Sequence, residues 1–336
     1  MALDCAAATG DLDFVLTDTL PIMYQDTMEK PPRFAVCLAA YNGMTFIAEQ
    51  IESILAQAGV VLQLFVSVDQ SVDGTEQRLA AWAMSEPRLT LLPCGRRFGS
   101  AGRNFYRLLR DVDLTDFDYL SFADQDDIWQ TDKLARAHRT IKTLNASGYS
   151  SNFTAFWPGG KSKRVNKAWP QRTHDYLFES AGPGCTYVMH RSLALPFQEL
   201  VRRRGPDLSD IDYHDWLAYA FARSHHYSWA IDDWSSIEYR QHANNQIGVN
   251  AGWRSFWLRA RKVLSGYGFQ QSLLIADAVG ASSLPVVQRG LRRGRPGYLW
   301  LALQARQCRR RPLDQLWFFL SCVLLAIFKP AMKDGI

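Results

Sequence analysis

FDYLSFADQDDIWQTDKL, residues Phe117 to Leu134, decides how this chain is read. Its first seven residues are mainly apolar and too few for a helix, which suits a strand buried in a parallel sheet. The run stops at Asp124-Gln125-Asp126-Asp127, three carboxylates in four positions, before Ile128-Trp129 restores apolar character. Carboxylates a few ångströms apart resist joint ionisation unless a cation lies between them. A divalent cation, Mg²⁺ or Mn²⁺, takes oxygen ligands and often uses one or two carboxylates together with substrate phosphates. The cluster therefore points to a metal that holds a diphosphate. The plainer alternative is that Asp126 or Asp127 caps the following turn while the others are solvated.

Working outward, FAVCLAA (34–40), VLQLFVSV (61–68) and LTLLP (89–93) read as further strands. Met44–Ala58, Glu76–Met84, Asn104–Arg110 and Lys133–Leu144 carry helical spacing between and after them. This alternation predicts an α/β fold with a mostly parallel sheet flanked by helices, in which ligands bind at the carboxyl ends of strands. The first strand ends in Ala40-Tyr41-Asn42-Gly43, which suits an ordinary polar turn as well as a site. The second ends at Asp69, which can accept hydrogen bonds from a nucleobase or ribose. Asp73-Gly74-Thr75 reads as a turn and helix N-cap. Three strand tips bearing polar or acidic residues on one sheet edge are read together as a site.

Residues 150–185 show no clear period and are expected to form long loops over a cleft. CTYVMH (185–190), WAIDDW and IEYRQH look strand-like, and a helix is expected from about Tyr213. Ahead of that helix, Asp210-Ile211-Asp212-Tyr213-His214-Asp215-Trp216 offers three carboxylates and a histidine. Negative charge in a first helical turn is stabilising by ~0.3–1 kcal/mol, and a carboxylate there can also serve as a general base. Arg240 and His242 stand two apart and share one strand face, suited to a common anionic ligand.

The net charge of +5 hides an asymmetry, with 14 Lys/Arg against 3 Asp/Glu from Trp253 onward. Trp253, Phe256, Trp257, Ala260 and Leu264 fall on one helix face among arginines, a composition suited to a membrane interface. LWFFLSCVLLAIF (316–328) is apolar for 13 residues, short of the ~20 that span a bilayer. The segment is expected to lie on a membrane. A helix packed on the catalytic domain, or in the seam of an oligomer, is the alternative. Nucleic acid is disfavoured, because the aromatics share a face instead of stepping along a groove. No secretory signal is expected at the N-terminus, and the six cysteines show no metal-ligand spacing and read as reduced thiols.

Taken together these motifs resemble the family 2 inverting glycosyltransferases of the nucleotide-diphospho-sugar-binding GT-A fold, and within them the bacterial rhamnosyltransferase-like members. The resemblance covers roughly 33–250. It rests on Ala39-Ala40-Tyr41-Asn42-Gly43, Glu49 through Gln57, VDQSVDGT, Phe98-Gly99 with Asn104-Phe105, ADQDDIWQTDKL, Gly182-Pro183-Gly184, His-Asp-Trp and Glu238 through Gly248. Val68 and Gln70 depart from the family pattern. The resemblance implies Ala40, Tyr41, Asn42 and Asp69 at the nucleotide and Asp124 by the ribose or metal. It implies Asp126 as metal ligand, Asp127 behind it, and Arg240 and His242 toward diphosphate and metal. Asp215 takes the position of the base, with Asp212 as its substitute and His214 positioning it.

The expected organisation is an N-terminal extension over 1–32, a catalytic domain over 33–250 and a basic, amphipathic helical appendage over 251–336. The expected activity is metal-dependent sugar transfer from a nucleotide-diphosphate donor to a glycan or lipid-linked glycan, with L-rhamnose the sugar that the resemblance suggests. The expected location is the cytoplasmic face of a bacterial plasma membrane, in surface polysaccharide assembly. A nucleotidyltransferase of similar sheet and an inactive assembly partner are the competing readings.

Overall fold

In the computed structural model, which describes residues 30–242 and 265–328, β1 (Arg33–Ala40) shows why the sheet forms. Seven of its eight residues are buried. They divide by parity, with Ala35, Cys37 and Ala39 facing one hydrophobic cluster and Phe34, Val36, Leu38 and Ala40 facing the other. α1 (Ile47–Leu55) covers the second cluster with Ile47, Ile51 and Ile54, all wholly buried, each contributing roughly 1.5–3 kcal/mol of burial. β2 (Val61–Val68), α2 (Thr75–Ser85), β3 (Leu89–Leu91), α3 (Ala101–Asp111) and β4 (Tyr119–Ala123) follow in the expected alternation.

β2 and β4 both run parallel to β1, and β3 runs parallel to β2. Ala40 pairs with Val68, and Leu38 with Ala123, so the carboxyl ends of three adjacent strands reach one sheet edge. The remaining elements are β5 (Ile128–Trp129), α4 (Lys133–Leu144), β6 (Gly148–Phe156), β7 (Ser162–Val165), β8 (Val188–His190), α5 (Arg191–Arg204), α6 (His214–Ser224) and β9 (Trp229–Arg240). The sheet order is β3-β2-β1-β4-β8-β6-β9-β5, with β7 beside β6. The first four strands are parallel, and the second half is mixed: β8 is antiparallel to β4 and β6, while β6 and β9 are parallel.

One expectation fails here. The stretch read as loops from 150 opens inside β6, a nine-residue strand. Its polar residues disguised it, because Ser150, Ser151 and Asn152 are all wholly buried. Each has a local partner: Trp229 Nε1 donates to Ser150 Oγ at 3.1 Å, Ser151 Oγ to Ser236 Oγ at 2.6 Å, and Asn152 Nδ2 to the Asp233 carbonyl at 2.7 Å. WAIDDW and the start of IEYRQH likewise fuse into the single strand β9, with a register irregularity opposite Ser151–Thr154. The segment after β7 is irregular, as expected, up to the short turn Gly184–Thr186.

The C-terminal helices α7 (Tyr267–Ala278), α8 (Gly294–Leu303), α9 (Ala305–Cys308) and α10 (Pro312–Phe328) pack on the cluster that also holds α3, α5 and α6. α10 buries Phe318, Cys322 and Leu325 and exposes Leu316, Leu320, Leu324 and Ile327. Both the packed-helix reading and an open apolar face are thus present on one element. No helix among the described residues is long and apolar enough to cross a membrane. Cys37, Cys94, Cys185, Cys308 and Cys322 are free thiols. The amphipathic stretch 253–264, residues 243–248 of the closing motif, the first 29 residues and Cys5 lie outside the described residues.

Candidate active site

Asp124–Asp127 bridge β4, in the parallel block, to β5, which pairs with β9. Gln125 holds this bridge to the end of β1. Its Oε1 accepts from the Tyr41 amide at 2.7 Å and its Nε2 donates to the Tyr41 carbonyl at 2.9 Å. Gly43 is required beside it, since a Cβ there would stand 2.5 Å from Gln125 Oε1. Asn42, with φ +44°, and Asp73 stitch the tips of β1 and β2 together. Val72 N donates to Asn42 Oδ1, and Met44 N and Thr75 N donate to the Asp73 carboxylate, all at 2.9–3.0 Å. Asp73 is thus the turn residue expected of it, but the N-cap of α2 is Gly74, which makes no side-chain cap bond.

The carboxylates differ in surroundings. Asp126 Oδ2 lies 2.7 Å from His242 Nε2, and the Arg240 Nε donates to the Asp126 carbonyl at 3.1 Å. Arg240 also pairs with Glu49 and lies over the rings of Phe46 and Phe156. Asp127 is 1% exposed, and neither of its oxygens meets a donor in ordinary hydrogen-bond geometry. The Cys185 thiol and the Arg240 amide are the polar groups that face it. It does not cap the next helix, whose N-cap is Asp132.

Burial first, and then the charges of Asp126 and Asp215, push Asp124 up to about 7. Burial, and then the charges of Asp124 and Asp126, raise Asp127 as well. The wholly buried Lys133, its Nζ 3.0 Å from the centre of the Trp129 ring, pulls Asp124 down in turn, while burial drives its own proton affinity well below the usual lysine range. One oxygen from Asp124, one from Asp127 and the Cys185 sulfur lie within 4.8 Å of one another. Crowded acids with unpartnered oxygens and raised proton affinities fit a bound cation, which would relieve both the repulsion and the missing partners.

Asp69, 5% exposed, is already engaged. Its oxygens accept from the amides of Phe98 and Gly99, each at 2.7 Å, and of Gln70 at 2.9 Å. It thereby fixes the loop before α3. From α3, Asn104 Nδ2 donates to the carbonyls of Ser67 and Ala40, and Arg107 reaches Ser67 Oγ and the Pro93 carbonyl at 2.8 Å each.

Asp215 opens α6. Burial raises its carboxyl to about 6, against the pull of hydrogen bonds from the Trp216, Asp215 and Gly184 amides. His214 beside it is buried, its ring stacked 3.7 Å from that of Phe105, and burial drives it down to about 3. It is therefore a neutral packing residue at physiological pH. Gly184 explains the Gly-Pro-Gly motif, because a Cβ there would stand 2.8 Å from His214 Nε2 and 3.1 Å from Asp215 Cβ. Asp212 faces away toward Tyr267. On its open side Asp215 borders a cavity of about 560 Å³ lined also by Trp216, Tyr267 and Trp317. Asp215 thus lies between that cavity and the acidic cluster, whose Asp124 feels its charge.

Residues 35–205 match Glycosyl transferase family 2. The chain belongs to that family. The dTDP-rhamnosyl transferase RfbG of Shigella flexneri is 40% identical over 288 residues, which are 85% of this chain and 99% of that protein. The UDP-Glc:alpha-D-GlcNAc-diphosphoundecaprenol beta-1,3-glucosyltransferase WfgD of Escherichia coli is 28% identical over 187 residues, 55% of this chain and 68% of that one. Among solved structures, S. aureus TarS 1–349 in complex with UDP-GlcNAc has a TM-score of 0.49 at 13% identity, covering 88% of this chain and 90% of that one.

This family 2 glycosyltransferase has the GT-A-type sheet that the motifs implied, and the nucleotidyltransferase alternative gives way to the family match. Of the residues singled out from sequence, Ala40, Tyr41, Asn42 and Asp69 lie at the β1 and β2 tips, Asp124, Asp126, Arg240 and His242 by the β4–β5 bridge, and Asp215 on the cavity side. Sequence reasoning missed the staple Gln125, the buried Lys133 and Cys185 behind Asp127, and it quoted Asn104 within a family motif without its tip-binding role. Only Lys133 carried a signal, since helical phase puts it on the α4 face with Leu134, Ala137 and Ile141.

Proposed function

We propose that this glycosyltransferase moves L-rhamnose from dTDP-rhamnose to a polyprenyl-diphosphate-linked saccharide in surface polysaccharide assembly. The donor is suggested by the long, 40% identical match to a dTDP-rhamnosyl transferase, and the acceptor class by the diphosphoundecaprenol acceptor named for the second relative. The observation that carries the chemistry is Asp215, a partly buried carboxylate between the acidic cluster and an open cavity.

The nucleotide lies along the β1 and β2 tips, with Ala40, Tyr41, Asn42 and the loop fixed by Asp69 around its base and ribose. Asp124, Asp126 and His242 would hold a divalent cation, with Asp127 behind them, and the cation would supply charge neutralisation to the departing diphosphate. Arg240 adds a fixed positive charge on the same side. Asp215 accepts the proton of the acceptor hydroxyl while its oxygen bonds to the anomeric carbon. The bond from that carbon to the diphosphate breaks, and its electron pair leaves with the nucleoside diphosphate. Attack from the face opposite the leaving group inverts the anomeric centre. His214 contributes by packing, not by proton transfer.

The apolar outer face of α10, with Arg311 exposed just before its first turn, supports attachment to the cytoplasmic surface of an anionic bilayer.

A thermal-shift screen tests the donor and the cation together. dTDP-rhamnose with Mn²⁺ is expected to raise the melting temperature; saturation at 100 times Kd is worth about 2.7 kcal/mol. Chelation or Asp126→Ala should remove the effect. If no nucleotide-diphosphate sugar stabilises the protein with metal present, the reading is wrong.

A further inference from the structure

The cavity beside Asp215 is built by parts of the chain far apart in sequence. Asp215 and Trp216 come from α6, Tyr267 and Phe269 from α7, and Trp317 and Ser321 from α10. Its volume, about 560 Å³, lies inside the roughly 300–1,000 Å³ range of small-ligand sites. The rings offer flat apolar faces of the kind that pack against the C–H faces of a sugar, with polar edges at Trp and Tyr. Its charged groups are Glu179, Asp215 and Asp314 against Lys167 and Arg309, so it has no cationic excess to draw a diphosphate. Carboxylates among aromatics suit hydroxyl groups instead. The fixed positive charge suited to a diphosphate, Arg240, stands instead by Asp126.

The outer wall is held in place. Arg310, 3% exposed, donates from its amide to Glu179 Oε1 and from Nη2 to the Ser180 carbonyl, each at 2.6 Å, and lies 3.7 Å from Asp175. The chain entering α10 is thereby tied to the floor of the cavity.

We propose that this cavity is the subsite for the acceptor's terminal sugar, a neutral saccharide, and that α10 forms its outer wall. The C-terminal helices thus determine acceptor recognition in addition to any membrane role. This rests on the glycosyltransferase reading above.

The test plugs the cavity from the wall side. Ser321→Cys, in the full chain, is labelled with a bulky maleimide, with equally treated wild type as control. Two reactions are followed with dTDP-rhamnose and Mn²⁺: donor hydrolysis, and transfer to a synthetic N-acetylglucosaminyl diphosphate bearing an undecyl chain. Labelling is expected to lower transfer at least tenfold while hydrolysis stays within twofold. Trp317→Ala, a half-exposed position, should raise the acceptor KM about tenfold with donor KM unchanged. Undiminished transfer by the labelled protein, or an unchanged acceptor KM in Trp317→Ala, overturns the assignment. Absence of both donor hydrolysis and transfer in unlabelled wild type counts instead against the donor reading, so the two failures are distinct.

Discussion

Asp215 joins function to a stability cost through a single proton equilibrium. Burial lifts its carboxyl from 3.8 to about 6. The folded state therefore binds this proton more tightly than the unfolded state, and its contribution to stability, complete at low pH, is lost as pH rises through about 6. Two outcomes follow. Transfer should rise with pH through about 6 and then level, because only the ionised form accepts a proton. Asp215→Asn should lower turnover by ~10²–10⁴-fold yet stabilise the fold by about 1–3 kcal/mol at pH 7. Melting curves at pH 7 and pH 3.5 check the second part, since the gain should vanish at the lower pH. Asp215 was legible in the sequence because a histidine, an acid and a tryptophan at a helix start are similar to the family's base motif. His214, adjacent to it, was not legible, because only the contact with Phe105 reveals that it is buried and neutral.

At the scale of elements, the β4–β5 bridge acts by way of its neighbours. Gln125 supplies two hydrogen bonds to the Tyr41 backbone. Gln125→Ala should cost about 1–2 kcal/mol and weaken nucleotide-dependent stabilisation, read as a smaller melting shift with dTDP-rhamnose and Mn²⁺. Nothing in the local sequence distinguishes this glutamine from a solvated loop residue, because its partner is 84 positions away. β6 was missed for a related reason. Period-two patterning fails when both faces of a strand are buried, and buried serines were read as loop. Gly148 shows how tight that pairing is: a Cβ there would stand 2.2 Å from the Trp229 ring. Gly148→Ala should destabilise by about 1–3 kcal/mol, measurable by denaturant unfolding.

For the whole molecule, the C-terminal helices bear on both stability and location, and the two can be separated. Removing α10 would strip Phe318, Cys322 and Leu325 from the core, so truncation confuses unfolding with release from membranes. Substituting aspartate at Leu316, Leu320 and Leu324, which are 53%, 38% and 41% exposed, avoids this. The triple variant should bind vesicles containing phosphatidylglycerol at least tenfold more weakly in flotation assays with an unchanged melting temperature. Equal flotation would dismiss the membrane-surface reading. Arg310→Met, by contrast, should destabilise by about 3 kcal/mol, because it leaves the buried Asp175 and the partly buried Glu179 with fewer partners.

Local sequence was enough for the parallel half of the sheet, its acidic strand tips and the family, but not for the mixed second half, which the mostly parallel expectation did not foresee. The first three are encoded locally: runs of apolar residues of strand length, helical phase, and ordered short motifs each fit within a few tens of residues. The polar strand β6, the pinning of the acidic bridge by Gln125 and the neutral state of His214 were decided only in three dimensions. So was the cavity that brings α10 to Asp215. Each depends on partners distant in the chain, whose burial and contact set charge state and packing, and these arise only when the sheet has closed and the C-terminal helices have docked on it.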